Sequence, residues 1–232
     1  MKYTLIFLFF VFSSLFRLDG QKMKVSFQTG YGFYNMHSFS DITSQVYTDL
    51  SFPSKIISNY PAWHYYQPVV KLSYGKFDFG ITYLYEATGS KISSKDYSGE
   101  YRFDTRVNSK SPGIILEEII TDNYRYKTGL FLLAGVNFSS LKMNEFLRIG
   151  QEVQQSEVKF ESMSFYLEPG LKFIFPVRRF SLEANIGYFK ELHRQDYSMI
   201  SASQNKLLVN KNDGETDIWD GLRIGLGVSF TL

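Results

Sequence analysis

The chain has 232 residues, with 25 Lys and Arg against 23 Asp and Glu, a formal net charge of +2, and no cysteine. Charges this balanced argue against a nucleic-acid binder, whose footprint is a marked basic excess. Without cysteine there is no disulfide framework, no thiol chemistry and no lipoprotein anchor. Aromatics reach 18% of residues, led by 22 Phe and 17 Tyr, an abundance that suits a membrane barrel with interfacial girdles.

Lys2 precedes an apolar run from Thr4 to Phe16. At ~13 residues it falls short of the about 20 that a spanning helix needs, and it reads as a signal peptide cleaved near Gly20. The expected mature domain, 21–232, then carries 23 basic and 22 acidic side chains. Beyond residue 20 no uninterrupted apolar run reaches helix length. The best candidate, Ile114-Ile-Leu-Glu-Glu-Ile-Ile120, is split by two carboxylates. Membrane residence therefore requires a closed β-barrel, because only helices and barrels satisfy every backbone group in hydrocarbon.

A first strand, 22–36, sets Val25, Phe27, Thr29, Tyr31 and Phe33 opposite Lys24, Ser26, Gln28, Gly30 and Gly32. A long connection, 37–64, follows. The second strand, 65–74, opposes Pro68, Val70, Leu72 and Tyr74 to Gln67, Lys71 and Ser73. Gly75-Lys76 makes a hairpin turn. In the third, Phe77, Phe79, Ile81, Tyr83 and Tyr85 face away from Asp78, Gly80, Thr82 and Glu86. A second long connection covers 91–108. Strand four is expected over 109–121 and strand five over 126–141, where Phe131 and Leu133 spoil the alternation of Leu130, Leu132, Ala134, Val136 and Phe138. After a third long connection, 142–161, strand six (162–175) alternates regularly. The turn 176–179 leads to strand seven (180–188), and a fourth connection, 193–216, contains an Asn212-Asp-Gly214 turn. The final strand, Leu222-Arg-Ile-Gly-Leu-Gly-Val-Ser-Phe-Thr-Leu232, has a strict period of two.

The expected fold is all-β: an eight-stranded antiparallel up-and-down transmembrane β-barrel. Ten strands is the alternative if 99–107 pairs as an extra strand. Short turns alternating with long loops place the turns and both termini in the periplasm and the loops outside. A soluble barrel would also alternate. However, Gly30, Gly32, Gly80, Gly129, Gly135, Gly170, Gly187, Gly225 and Gly227 mostly share a face with the charges, and strand glycines there make sense only where side chains must fit a narrow lumen. The opposite face carries too many Phe, Tyr, Leu and Ile to pack inside, so it faces lipid. The rim aromatics Tyr31, Phe33, Tyr83, Tyr85, Tyr188 and Trp219 are expected in the outer girdle.

The segments Tyr166-Leu-Glu-Pro-Gly-Leu-Lys-Phe-Ile-Phe175, Phe180-Ser-Leu-Glu-Ala-Asn-Ile-Gly-Tyr188 and Gly225 to Leu232 resemble the small porin-like barrels widespread among Bacteroidetes, the outer membrane protein beta-barrel domain family. The resemblance implies a Gram-negative outer-membrane location. It also implies recognition of the closing strand by the barrel assembly machinery through Phe230, since Leu232 replaces the commoner terminal aromatic. It supplies no catalytic residues.

Lys71, Asp78, Glu86, Glu168, Lys172, Glu183 and Arg223 are expected to point into the lumen. They could form an ion path, but a narrow lumen favours compensating ion pairs, with Arg223 opposite Glu183 or Glu168. His37, His64 and His193, with Asp41 or Asp196, would suit a metal but read better as solvated rim residues, so neither metal nor cofactor is expected. Ser38 beside His37, or Ser198 near His193, is too generic for a catalytic assignment. Tyr60, Trp63, His64 and Tyr65 are the loop interaction candidates; their competing role is as girdle aromatics. The expectation is a monomeric, non-enzymatic structural or surface-interaction protein. Its surroundings would be outer-membrane lipid and lipopolysaccharide, with a glycan or protein partner at the external loops. A narrow transport channel and a lipid-modifying barrel enzyme are the alternatives.

Overall fold

A computed structural model describes residues 22–194, 197–199, 206–207 and 219–232. The expected signal peptide (1–20), Asp196 and the Asn212–Gly214 turn lie outside the described residues. Eight long strands form the wall: β1 (Lys22–Tyr34), β3 (Trp63–Tyr74), β4 (Phe77–Lys95), β5 (Gly99–Asp122), β6 (Lys127–Ile149), β7 (Glu152–Val177), β8 (Phe180–Arg194) and β11 (Gly221–Thr231). Each pairs antiparallel with its neighbour, and β11 returns to β1 with Leu226 beside Thr29 and Val228 beside Phe27, closing the ring. Closure leaves no open edge within the wall, as a hydrocarbon surround demands. Three short strands sit outside the ring: β2 (Lys55–Asn59) on β4, β9 (Tyr197–Met199) on β7, and β10 (Lys206–Leu207) on β9. The fold is thus an eight-stranded antiparallel up-and-down barrel.

Side chains alternate as the sequence pattern requires. Phe27, Phe79, Ile81, Ile114, Leu171, Leu182 and Leu226 stand on the outside, exposed, while Gln28, Gln67, Lys71, Thr82, Glu117, Lys172 and Arg223 are buried within. On β4 the outward aromatics run from Phe77 to Tyr85, about 20 Å along the axis at ~3.3 Å per residue and ~40° tilt, close to the height of a lipid-facing band. Phe131 and Leu133, which broke the pattern of strand five, point inward and are buried. Phe131 fills the space that a side chain at Gly170 would take. Trp219, expected in the outer girdle, is fully buried inside the barrel mouth. Both departures have one cause: an eight-stranded lumen needs large side chains to fill it wherever glycines leave room.

Two expected loops are strands instead. Residues 91–108 continue β4 and β5 into a hairpin whose tip is Asp96-Tyr97-Ser98. There the Asp96 carboxylate accepts from the Ser98 hydroxyl and from the amides of Ser98 and Gly99, which holds it below the usual carboxylate range. Residues 99–107 are therefore the upper part of β5, not an additional strand, and the ten-strand alternative falls. Residues 142–161 likewise extend β6 and β7 to a two-residue turn, where Gly150 takes a φ of +59° that few other residues accept. β5, β6 and β7 run 24, 23 and 26 residues against 13, 12 and 11 for β1, β3 and β11, so one side of the wall stands far taller.

The first long connection contains a helix the strand pattern concealed. α1 (His37–Asp49) presents Phe39, Ile42, Thr43 and Val46 at helical spacing, followed by Leu50. No side chain caps its start, and Thr43, Ser44 and Thr48 bond back to carbonyls four residues earlier, which favours neither propensity nor straightness. Packing holds it. Phe39 is fully buried between the rings of Tyr60 and Tyr197, 5.9 and 5.4 Å away, and Val46 and Leu50 cover Ile92, Tyr101 and Phe103.

Gly225 shows how tightly the lumen is filled: a Cβ there would overlap the Tyr65 hydroxyl and crowd Asn185. Gly225→Ala is expected to cost about 1–3 kcal/mol through overpacking. Adding Tyr65→Phe should recover part of that loss. Urea unfolding in lipid vesicles, followed by the mobility of the unboiled protein on gels, checks this; a double variant no more stable than Gly225→Ala would contradict the packing described.

Candidate functional site: the lumen and outer mouth

The alternation that turns apolar residues outward carries the charges between the two rims inward, where the ring stacks them in tiers; Glu118 and Lys110, at the two ends of the apolar band, stay outside. At the lower rim Lys24 pairs with Asp78 at 2.7 Å. Above it, Lys71 meets Glu117 at 2.8 Å and Glu183 at 3.6 Å, while Lys172 contacts Glu117 closely and Glu183 at 3.4 Å. Two ammonium groups and two carboxylates thus form a closed square drawn from β3, β5, β7 and β8. Gln28 donates to Glu183 at 3.0 Å and accepts from Asn185 at 2.8 Å, which ties the square to β1.

The next tier belongs to Arg223 of β11. Its Nε and Nη2 grip Glu86 at 3.1 and 2.6 Å, and Nη1 reaches Glu168 at 3.1 Å. The guanidinium carbon lies 3.7 Å from the centre of the Phe189 ring, which in turn stacks on Tyr166 at 4.6 Å. The fork geometry and flat stacking are arginine-specific; lysine could supply neither. Arg223 therefore serves Glu86 and Glu168; of its two expected partners Glu168 is the one it meets, while Glu183 belongs to the lysine square.

Above Arg223 lies a carboxylate with no cation among the described partners. Glu191 accepts from Asn137 Nδ2 at 3.0 Å, from the Ser164 hydroxyl at 2.5 Å and from the Trp219 amide at 3.3 Å. Asn137 itself accepts from Ser109 and Ser111 at 2.6 and 3.1 Å. Beside it Asp220 takes the Glu191 amide at 2.7 Å and an ion pair from Lys190. The mouth closes over this tier. Trp219 Nε1 donates to Ser139 at 2.9 Å, Ser139 contacts the Tyr197 hydroxyl at 2.5 Å, and Trp219 meets Tyr34 edge-on at 4.9 Å. α1 caps the whole, with a hydroxyl chain Thr43–Ser90–Thr105–Tyr60 at 2.8, 2.7 and 2.7 Å beneath it.

All seven lumen charges named from the sequence, Lys71, Asp78, Glu86, Glu168, Lys172, Glu183 and Arg223, are buried and enter these tiers. Glu117 and Glu191 join them without having stood out in the sequence. Glu117 sits in Ile114-Ile-Leu-Glu-Glu-Ile-Ile120, where two adjacent carboxylates hide which one faces in; only Glu117 is buried, and Glu118 is exposed. The four loop candidates separate. Trp63 is exposed at the outer rim and His64 lies outside against Tyr31, the rings tilted and 4.2 Å apart. Tyr60 and Tyr65 turn inward, Tyr60 to Thr105 and Tyr65 toward Asn185 at 3.5 Å, so neither offers an exposed ring to a partner. Among the described residues no group of three His, Asp or Glu is placed to hold a metal ion.

An outward face this apolar around a complete ring needs hydrocarbon against it, and a lumen this polar and this full is that of a small outer-membrane-type β-barrel. No protein-family model and no curated protein matches the sequence. Among solved structures the chain is similar to a major outer membrane protein from Thermus thermophilus, with 11% identity, TM-score 0.49, and 92% of this chain and 100% of that one covered. It is similar to the attachment invasion locus protein Ail of Yersinia pestis, solved with the heparin analogue sucrose octasulfate, at 13% identity, TM-score 0.38 and coverages of 91% and 99%. A third likeness is to the outer membrane protease OmpT of Escherichia coli, at 8%, TM-score 0.36, 91% and 96%.

Removing one partner of a buried ion pair strands the other charge, at about 3–5 kcal/mol. Arg223→Met should lose stability on that scale. The triple variant Arg223→Met, Glu86→Gln, Glu168→Gln should regain most of it, because no charge is left alone. The urea midpoint in vesicles measures both, and equal destabilisation of the two would contradict the pairing.

Proposed function

We propose that this protein is an outer-membrane surface protein in which a filled barrel acts as a rigid stem and the tall β4–β7 side acts as the working surface outside the cell. The carrying observation is the coincidence of a closed lumen with a wall that outgrows the membrane. From Ser164, the last residue β8 pairs with, β7 rises about 30 Å further to Glu152, at ~3.3 Å per residue and ~40° tilt. Strand that long is not needed to span lipid. The lumen charges serve as a structural lock: each tier joins strands far apart in the ring, and an open water path has no room beside them. The likeness of its closing segments to the small Bacteroidetes barrels belongs to the same proposal, as does export by residues 1–20 to a Gram-negative outer membrane.

The outer surface offers mixed charge rather than a catalytic cleft. Lys142–Glu157 at 2.9 Å and Lys159–Glu161 at 2.8 Å lie on the β6–β7 hairpin, with Ile149 and Val153 exposed near its tip. Alternating charges with scattered apolar residues suit recognition of a glycan or protein and discourage edge-to-edge aggregation.

Two measurements separate this reading from its rivals. Planar-bilayer recordings of the inserted barrel should show no conductance steps, and steps of porin size would support the channel instead. Replacing 143–158 by a two-residue turn should leave a heat-modifiable, folded barrel yet abolish retention on a glycan or cell-surface-protein array. Full retention by the shortened protein, or a lipid A profile altered when the gene is expressed, would overturn the assignment.

A further inference from the structure

One break in the outer wall is not required by barrel construction. β3 leaves β4 at the Tyr65–Glu86 pair, and β2 rejoins it only at Asn59–Ser90. Between them residues 60–62 detour: the Tyr60 side chain dives inward, its φ is +45°, and its amide bonds the Gly89 carbonyl at 2.9 Å. A positive φ at a bulky residue is uncommon and costs energy, which the buried ring offsets. The detour uncovers Ala87 and Gly89 as the floor of a cavity of about 410 Å³, walled by Pro61, Trp63 and Arg106.

Its chemistry is set by Arg106, the cation of its lining, with Lys110 below it on the same outward column of β5. Arg106 pairs across to Gly89 on the outward face of β5, in the same column as Lys110, Pro112, Ile114 and Leu116. Neighbouring Lys91, Lys142 and Lys159 each meet a carboxylate, Asp104, Glu157 and Glu161. Among the described residues, no carboxylate meets Arg106 or Lys110. Arg106 Nε is anchored on Asn108 Oδ1 at 3.0 Å, which orients the guanidinium and leaves its terminal nitrogens as donors. Lys110 sits opposite Tyr85, at the top of the apolar band. Arg106 lies about 10 Å higher along the axis, at ~3.3 Å per residue and ~40° tilt, level with headgroups rather than acyl chains.

We propose that this notch seats the phosphorylated sugar headgroup of an outer-leaflet glycolipid. The sugar ring lies against Trp63 and Pro61, its phosphate takes the Arg106 fork, Lys110 draws the charge from below, and the acyl chains follow the Ile114–Leu116 face. A neutral sugar would leave both cations unanswered, and an acyl chain alone would strand the guanidinium. A folded protein needs several hundred Å² per partner, more than the notch offers. Guanidinium and phosphate match as a bidentate pair. The inference rests on the barrel spanning a glycolipid-bearing leaflet, as proposed above.

Native mass spectrometry of the folded barrel in detergent with diphosphoryl lipid A tests it. The wild-type barrel should retain the lipid. Arg106→Gln and Ala87→Leu, the second filling the floor without touching charge, should each weaken retention about tenfold, or ~1.4 kcal/mol. Lys127→Ala, at the opposite rim of the barrel, should not. Dephosphorylated lipid A should bind weakly, and excess inorganic phosphate should not displace the intact lipid. Equal retention by wild type and both notch variants would overturn the site, and so would displacement by inorganic phosphate or equal binding of dephosphorylated lipid. Gel mobility of the same samples reports folding separately. A barrel that folds and inserts yet binds no lipid A refutes this inference alone, whereas one that never inserts refutes the membrane reading beneath it.

Discussion

The constraint on which everything else depends is a lumen of fixed width that must accept every polar side chain the lipid refuses. Eight strands enclose barely enough room for side chains. Hydrocarbon outside forbids charge, so alternation sends Lys71, Glu117, Lys172, Glu183 and Arg223 into the same narrow space, where all are buried. Charges taken from water are tolerated only when matched and hydrogen-bonded. The lysine square and the Arg223 fork are therefore conditions for the barrel to exist. Glycines such as Gly225, and inward aromatics such as Phe131, Tyr65 and Tyr166, are the fine adjustment of volume around those ions.

The same ions specify register. Sliding a strand by one residue exchanges its two faces. A slip of β8 would push Glu183 into lipid and pull Leu182 inside; a slip of β11 would do the same with Arg223 and Leu222. Since Arg223 joins β11 to β4 and β7, and Lys71 joins β3 to β5 and β8, each tier checks strands that are not neighbours. Closure between β1 and β11, the most distant pairing in sequence, is fixed from the inside as well as by its backbone bonds.

The membrane-spanning half of the fold was legible because lipid imposes a two-residue period that needs no partner to be read. The seven inward charges could be named from that period. Their partners were legible only in part, since pairing across the ring depends on shear and tilt: of the two carboxylates expected opposite Arg223, Glu168 pairs with it and Glu183 does not, and Glu86 takes the rest of the fork. Beyond the lipid the rule lapses. The strand extensions 91–108 and 142–161 read as polar loops because their outer face meets water and so loses the apolar half of the alternation, although the inner face still buries Ile92, Phe103, Val107 and Phe160; only Gly150 hinted at a hairpin turn. α1 was hidden for a different reason: Phe39, Ile42, Thr43 and Val46 carry the helical period, but serines and threonines around them suggested coil. Trp219, Tyr60 and Tyr65 read as rim or loop aromatics because aromatic residues near a strand end serve equally as girdle or as plug; the choice rests on which way the last residue of the strand turns.

The barrel thus divides its labour between an inside that is finished and an outside that is open. Inside, the tiers satisfy one another up to the cap of α1. Outside, the wall carries Arg106 and Lys110, which no described carboxylate meets, above the apolar band and a tall hairpin beyond it. The central claim is the direction of the wall, polar in and apolar out, and adjacent valines test it directly. The chain contains no cysteine, so single cysteines at Val69 and Val70 of β3 can carry spin labels without background. With the protein inserted in lipid vesicles, collision with oxygen, which concentrates in hydrocarbon, should be high at 70 and low at 69, and the contrast should repeat at Leu72 against Ser73. A label at 70 reached instead by a water-soluble nickel relaxant, with 69 sheltered in an apolar interior, would contradict it.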